Sequence, residues 1–168
     1  VYRIAGKGRS ETAIEAADML KEKLGINKFN TIIIASGEEF ADALAGSYLA
    51  IKKDAPILLS CKYSVEMNEE YIKNNLAADG TIYILGGTAD LAVPAYVEES
   101  LESLGFNITR LAGKDRYETN LMILKEAEVV NEEILVCTGW NFADSLAASA
   151  TGLPILLVNS NAGKLTDA

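Results

Sequence analysis

The sequence predicts an α/β fold: a mostly parallel sheet between two layers of helices, built as two tandem modules with the second incomplete. Short apolar runs alternate with helical patterns along the chain, as strands joined by crossover helices do. The strand runs are apolar throughout, which is the composition of strands covered on both faces. Three blocks also occur twice in the same order. Arg3–Thr12 returns as Arg110–Thr119 with seven of ten positions identical, Ser36–Ala45 returns as Thr138–Ala147, and Pro56–Leu59 returns as Pro154–Leu157. A repeat of about a hundred residues is the size of a small domain, too long for a solenoid unit. Copy one is therefore drawn at residues 1–107 and copy two, truncated, at 108–168. The spacing between matched blocks falls from 107 to 102 to 98 residues, so copy two has lost residues in two connections.

Each element has its own local reason. Tyr2–Ala5 reads as a strand leading into a glycine turn, and Thr12–Leu24 as a helix with Ala13, Ala16, Ala17, Leu20 and Leu24 on one face. Thr31–Ala35 is β-branched and apolar, a buried strand. Phe40–Lys53, rich in alanine and leucine, reads as one helix. Ile57–Ser60 is a strand after a proline, where the missing N–H is harmless. A helix at Glu66–Leu76, a strand at Thr81–Leu85 and a helix at Ala92–Leu104 complete copy one. Phe106–Leu111 opens copy two, which continues helix, strand (Ile134–Cys137), helix, strand (Ile155–Val158).

Composition removes several functions. The chain has 168 residues, a net charge of −9 and no histidine. An acidic protein lacks the basic surface that nucleic acid requires, and without histidine the Ser-His-Asp and Cys-His mechanisms and most zinc sites are unavailable. No apolar run approaches the ~20 residues that cross a bilayer, so no membrane insertion is expected. The chain opens at Val1, which reads as an excised piece with any export signal upstream. Cys61 and Cys137 share no metal spacing and read as buried free thiols, with a disulfide as the alternative. No catalytic residue, metal or cofactor is assigned.

The repeated blocks fall at strand-to-helix turns, where parallel sheets gather their ligands. In the first block a glycine turn feeds a helix N-terminus, whose free N–H groups favour anions. Asp115 with Glu118 has capping-box spacing; in copy one Gly8 holds the cap position and Glu11 the matching acid. Around these turns stand Arg3, Lys7 and Arg9, and Arg110, Lys114 and Arg116. Six cations at two matched turns of an acidic chain point either to an anion site or to internal pairing with nearby carboxylates. In the second block Ser36 and Glu39 have capping spacing, and Asp42 and Asp144 suit the first turn of a helix. Phe40 and Phe142 read as core residues, and Trp140 as either a sugar-stacking ring or a plug. Leu85-Gly86-Gly87-Thr88 is either a close-approach anion turn or a plain tight turn.

Arg110–Thr119, Phe142–Leu146, Pro154–Leu157 and Leu85–Thr88, in this arrangement, resemble the clostridial-type cell-wall-binding repeat, type two, of Gram-positive surface proteins. The resemblance implies a Rossmann- or toprim-like αβα module, usually present in threes. It also implies a secreted, cell-surface protein anchored without catalysis or covalent linkage to an anionic cell-wall polysaccharide or teichoic-acid-like polymer, alongside other repeat modules of the same protein. By resemblance the strands Pro56-Ile57-Leu58-Leu59 and Pro154-Ile155-Leu156-Leu157 serve anchoring, and Arg3, Lys7, Arg9, Arg110, Lys114 and Arg116 supply cations. Copy one departs from the family pattern with Gly8 and Ser10 in place of an acid and a tyrosine. The competing expectation is an α/β enzyme or binder of a phosphorylated sugar or nucleotide, using Asp42, Asp144 and Gly86-Gly87 at the same strand ends.

Overall fold

A computed structural model describes residues 1–89 and 91–159. Its centre is β1 (Phe29–Ser36), whose Ile32, Ile33, Ile34 and Ala35 are all completely buried. The alternating side chains point into two separate cores, which only a strand covered on both faces requires. Parallel pairing extends β1 on one side to β2 (Ile57–Ser60) and on the other to β3 (Leu76–Leu85), and β3 pairs in turn with β4 (Asn107–Leu111). The sheet order is therefore β2-β1-β3-β4. A second sheet, among the described residues, contains β5 (Leu135–Thr138) and β6 (Ile155–Val158), again parallel.

Helices cover both faces, so the fold is α/β as the sequence predicts. On one side Ala17 of α1 (Arg9–Leu24), Ile72 of α4 (Val65–Asn75) and Val97 and Leu101 of α5 (Ala95–Ser103) pack on Ile32, Ile34, Ile82 and Ile84. On the other, α2 (Ala41–Ala45) and α3 (Ser47–Lys52) join α6 (Arg116–Glu126) and α7 (Ala143–Ser149). That second core runs from Ile33, Leu49 and Leu85 to Ile123, Ile155 and Leu157 without a break. Both sequence copies thus share one apolar interior.

Three expectations change in the structure. Tyr2–Ala5 forms no strand and is exposed, because a strand needs a neighbour for its backbone groups. Its counterpart in copy two, β4, finds that neighbour in β3 of copy one. The single helix expected at Phe40–Lys53 is two, meeting at Gly46-Ser47. Such a pair is a common kink, and the Ser47 hydroxyl donates back to the Leu44 carbonyl at 2.8 Å. On α1 the expected apolar face is only partly used: Ala17 is buried while Ala16 and Leu24 are exposed.

Asparagine side chains bond the outward-facing backbone of two edge strands, β6 and β2. Asn120, completely buried on α6, donates to the Ile155 carbonyl at 2.9 Å and accepts from the Leu157 N–H at 2.8 Å. Its amide thereby stands where a further strand would otherwise pair with β6. On β2 the Leu59 carbonyl accepts from Asn68 Nδ2 at 3.1 Å. Asn120→Ala leaves a buried N–H and a buried C=O unpaired, and is expected to destabilise the fold by about 2–4 kcal/mol. Urea denaturation that shows a loss below about 1 kcal/mol would refute this edge-closing role.

Candidate functional site

The repeated blocks meet at the carboxyl ends of the strands, and much of their identity is used in building those turns. In both copies the glycine N–H of the turn ahead of the helix donates to a threonine hydroxyl: Gly6 to Thr12 Oγ1 and Gly113 to Thr119 Oγ1, each at 3.0 Å. A Cβ at Gly113 would stand 2.5 Å from that of Glu118, so no larger residue fits there. Asp115 caps α6, its Oδ1 accepting from the N–H groups of Tyr117 at 3.0 Å and Glu118 at 2.9 Å. Glu118 answers by accepting from the Lys114 N–H at 2.6 Å, one residue ahead of the usual capping-box partner. Copy one has only Gly8 at the cap position, which makes no side-chain bond.

The second arginine of the first block ties it to the second block, identically in both copies. Arg9 donates to the Gly37 carbonyl, and Arg116 to the Gly139 carbonyl at 2.7 Å. Their remaining surroundings differ. Arg9 is 60% exposed and only loosely paired with Glu38 at 3.9 Å. Arg116 lies across the copies, 3.5 Å from Glu39 and 5.5 Å from the centre of the Phe40 ring. Lys114 is 79% exposed beside Glu118 at 3.9 Å. Arg3 and Lys7 are exposed and, among the described residues, form no ion pair.

Arg110 behaves differently. Its side chain is 13% exposed. Nε donates to Glu98 at 2.7 Å, and one terminal nitrogen donates to the carbonyls of Gly86 and Gly87 at 2.9 Å and of Val93 at 3.2 Å. Internal pairing, one of the two readings of the cationic turns, describes this arginine. It fastens β4 to the Leu-Gly-Gly turn of copy one, where Gly86 has a left-handed backbone (φ 90°) and a side chain in its place would collide with the Asp42 carboxylate.

Two clefts flank the Glu39–Phe40 ridge. The first, about 270 Å³, lies between the turns after β1, β3 and β4 and is lined by Glu39, Asp42, Gly87, Lys114, Asp115 and Arg116, among others. The second, about 300 Å³, holds Arg9, Glu38, Phe40, Leu59, Phe142 and Leu146. Phe142 is 52% exposed, a correction to its reading as a core residue: its ring stands edge-on to Phe40 at 6.0 Å in the open wall of this cleft. Trp140 is also exposed, with Nε1 donating to Asn159 at 2.9 Å. Ser36 accepts from the N–H groups of Glu38 at 3.0 Å and Glu39 at 3.2 Å. It shapes a turn and does not cap α2, which starts only at Ala41.

The proline-led strands are mainly framework. Pro56 and Pro154 are buried, and their carbonyls accept from Ile33 N–H at 3.0 Å and Leu135 N–H at 2.9 Å. Leu58, Ile155 and Leu157 are buried, while Ile57, Leu59 and Leu156 are half-buried. Both cysteines are free thiols; Cys137 is buried, but Cys61 is half-buried beside Ser10. Among the described residues no cluster of three acids or thiols could hold a metal ion, and no helix is long and apolar enough to cross a membrane.

Sequence reasoning placed Asp42 in a first helical turn and, in the competing reading, at a strand-end ligand site; in the structure it lines the first cleft. Burial raises its pKa above the ordinary 3.8, with Arg116 opposing and Glu39 adding to the rise. The signal available was its place in a duplicated block after a buried strand.

The signature of cell wall binding domain 2 (CWB2) matches residues 3–96 and 110–168. N-acetylmuramoyl-L-alanine amidase LytC of Bacillus subtilis is 30% identical over 95% of this chain, which spans 31% of that protein. The amidase enhancer of the same organism is 34% identical over 98% of this chain, which spans 22% of it. Cwp8 from Clostridium difficile, a solved structure, superimposes with a TM-score of 0.77 and 32% identity over 92% of this chain and 27% of its own. The chain therefore spans less than a third of each of these proteins.

Two substitutions test the geometry. Arg110→Ala strands Glu98 and three carbonyls and is expected to destabilise the fold by about 3–5 kcal/mol, with Arg110→Lys recovering little because a single ammonium cannot reproduce the fork. Equal stability of the lysine variant and the parent in urea would contradict the strut. Asp42 binds its proton more readily folded than unfolded. At this group, stability is complete below the ordinary carboxylate value and is lost as pH rises through the raised folded one. Asp42→Asn is expected to raise Tm at pH 7, the gain shrinking as pH falls toward 3.8; a Tm difference that ignores pH would argue against the burial effect.

Proposed function

This chain belongs to the cell wall binding domain 2 family, and from that premise we propose that it is a non-catalytic anchor for an anionic cell-wall polymer. It binds the cell wall, as the family does. In our reading the ligand is a polysaccharide or teichoic-acid-like chain whose repeating negative charge meets Arg9, Lys114 and Arg116 on the strand-end face, with Arg3 and Lys7 adding further contacts. Arg110 serves by holding the Leu-Gly-Gly turn in place. Pro56–Leu59 and Pro154–Leu157 contribute as the strands beneath the turns, with Leu59 reaching the second cleft. The protein acts secreted, at the cell surface, beside other repeat modules of its own kind.

The observation that carries this reading is the placement of exposed cations. Arg9 at 60% and Lys114 at 79% exposure stand at the two clefts flanking one ridge, each in a long ion pair near 3.9 Å, with one Arg9 nitrogen also bonded to the Gly37 carbonyl. Such pairs contribute little to stability, so both groups are available to an outside anion at small loss. Several weak contacts along one polymer add through effective concentration, which suits an anchor better than a single tight site.

The test is retention on purified Gram-positive cell walls before and after chemical removal of their anionic polymers. Intact walls are expected to retain the chain, and stripped walls to lose it. Arg9→Ala combined with Lys114→Ala is expected to weaken retention roughly tenfold, from about 0.5–1 kcal/mol at each exposed contact. Rising salt should have the same effect. Equal retention on intact and stripped walls would overturn the anionic assignment.

A further inference from the structure

Packing leaves the first cleft unexplained, and the sheet order explains why it exists. The chain leaves β1 toward β2 on one side, then crosses back to place β3 on the other side of β1. The turns leaving β1 and β3 therefore diverge, and a crevice opens between them at the carboxyl ends, where α/β sheets bind small ligands. The cleft lies there, between Glu39–Asp42 and Gly87, closed on its third side by the turn after β4. At about 270 Å³ it is near the lower end of small-molecule sites, with room for one sugar unit and not for several.

Its polar groups define what fits. Asp42 is half-buried in the wall of the cleft, and among the described residues its carboxyl oxygens accept no hydrogen bond. Glu39 is engaged by Arg116, and one oxygen of Asp115 caps α6. A half-buried carboxylate with no partner in the protein leaves its acceptor positions open to the donors of an outside ligand. Lys114 and Arg116 stand at the same cleft, where an anionic group would meet them.

We infer that this cleft holds a single sugar unit bearing an anionic substituent, its ring hydroxyls bonded to Asp42 and its phosphate or carboxylate to Lys114 and Arg116. The inference rests on the anchoring reading for the source of that unit, a wall polymer; the cleft and its chemistry stand apart from it. Hydroxyl recognition by Asp42 adds selectivity for sugar identity, which exposed cations alone do not supply.

The experiment titrates the isotopically labelled chain with N-acetylglucosamine 1-phosphate, N-acetylglucosamine and inorganic phosphate, following amide signals by NMR. The sugar phosphate is expected to shift Gly87 and Gly113, with the other two probes at least tenfold weaker. Gly87→Leu is the informative variant, because a side chain there enters open space with no neighbour within 4 Å. It should fill the cleft while keeping the fold, and is expected to weaken both sugar phosphate binding and wall retention at least tenfold at unchanged Tm. Asp42→Asn should weaken the sugar phosphate more than inorganic phosphate. Wall retention that survives Gly87→Leu, with no shifts in the cleft, overturns this inference and leaves the anchoring reading standing. Cleft shifts abolished by Gly87→Leu in a chain that ignores walls support the site and overturn the anchoring. Inorganic phosphate binding as tightly as the sugar phosphate overturns the sugar.

Discussion

Strand β4 belongs by sequence to the second copy and by hydrogen bonding to the sheet of the first, and Arg110 fastens it there. The pairing with β3 places the turn after β4 over the ends of β1 and β3, which closes the first cleft. It sets α6 against α2, so that Arg116 reaches Glu39 and the Phe40 ring. It also brings Ile123, Ile155 and Leu157 into one core with Ile33 and Leu85. Tyr83 and Tyr48 of copy one donate to Glu126 and Glu132 of copy two across the same junction. These contacts follow from one strand crossing the line between repeats.

That crossing gives the duplicated arginines distinct work. The first arginine of the block is a strut when a preceding module supplies a Leu-Gly-Gly turn, as copy one does for Arg110. Arg3 finds no such turn among the described residues and lies in solvent. The second arginine bonds the glycine carbonyl of its own second block in both copies. Equal sequence therefore means equal local bonding, while exposure depends on the neighbouring module.

The balance of charge on the strand-end face has a physical consequence. Carboxylates outnumber cations over the whole chain, yet the two clefts set Arg9, Lys114 and Arg116 beside Glu38, Glu39 and Asp42. Mixed charge of this kind suits a ligand with both hydroxyl donors and anionic acceptors.

Fold class, the buried strands and duplication were legible in the sequence, because buried parallel strands write themselves as apolar runs and helices as periodic ones. β2 and β6 stand where the sequence predicts, and β1 extends by only a few residues beyond its expected span. Partnership was not legible. Nothing in residues 2–5 or 107–111 says which has a neighbour, since an edge is closed by whatever chain lies next to it. Nor could the sequence say that Phe142 stands in an open cleft while Ile123 is buried, or that Arg110 is held inside the fold while Arg9 stays exposed. Burial is a property of the assembled layers. A residue's own chemistry states what it needs, and only the packing of distant segments decides whether protein or an outside ligand meets that need.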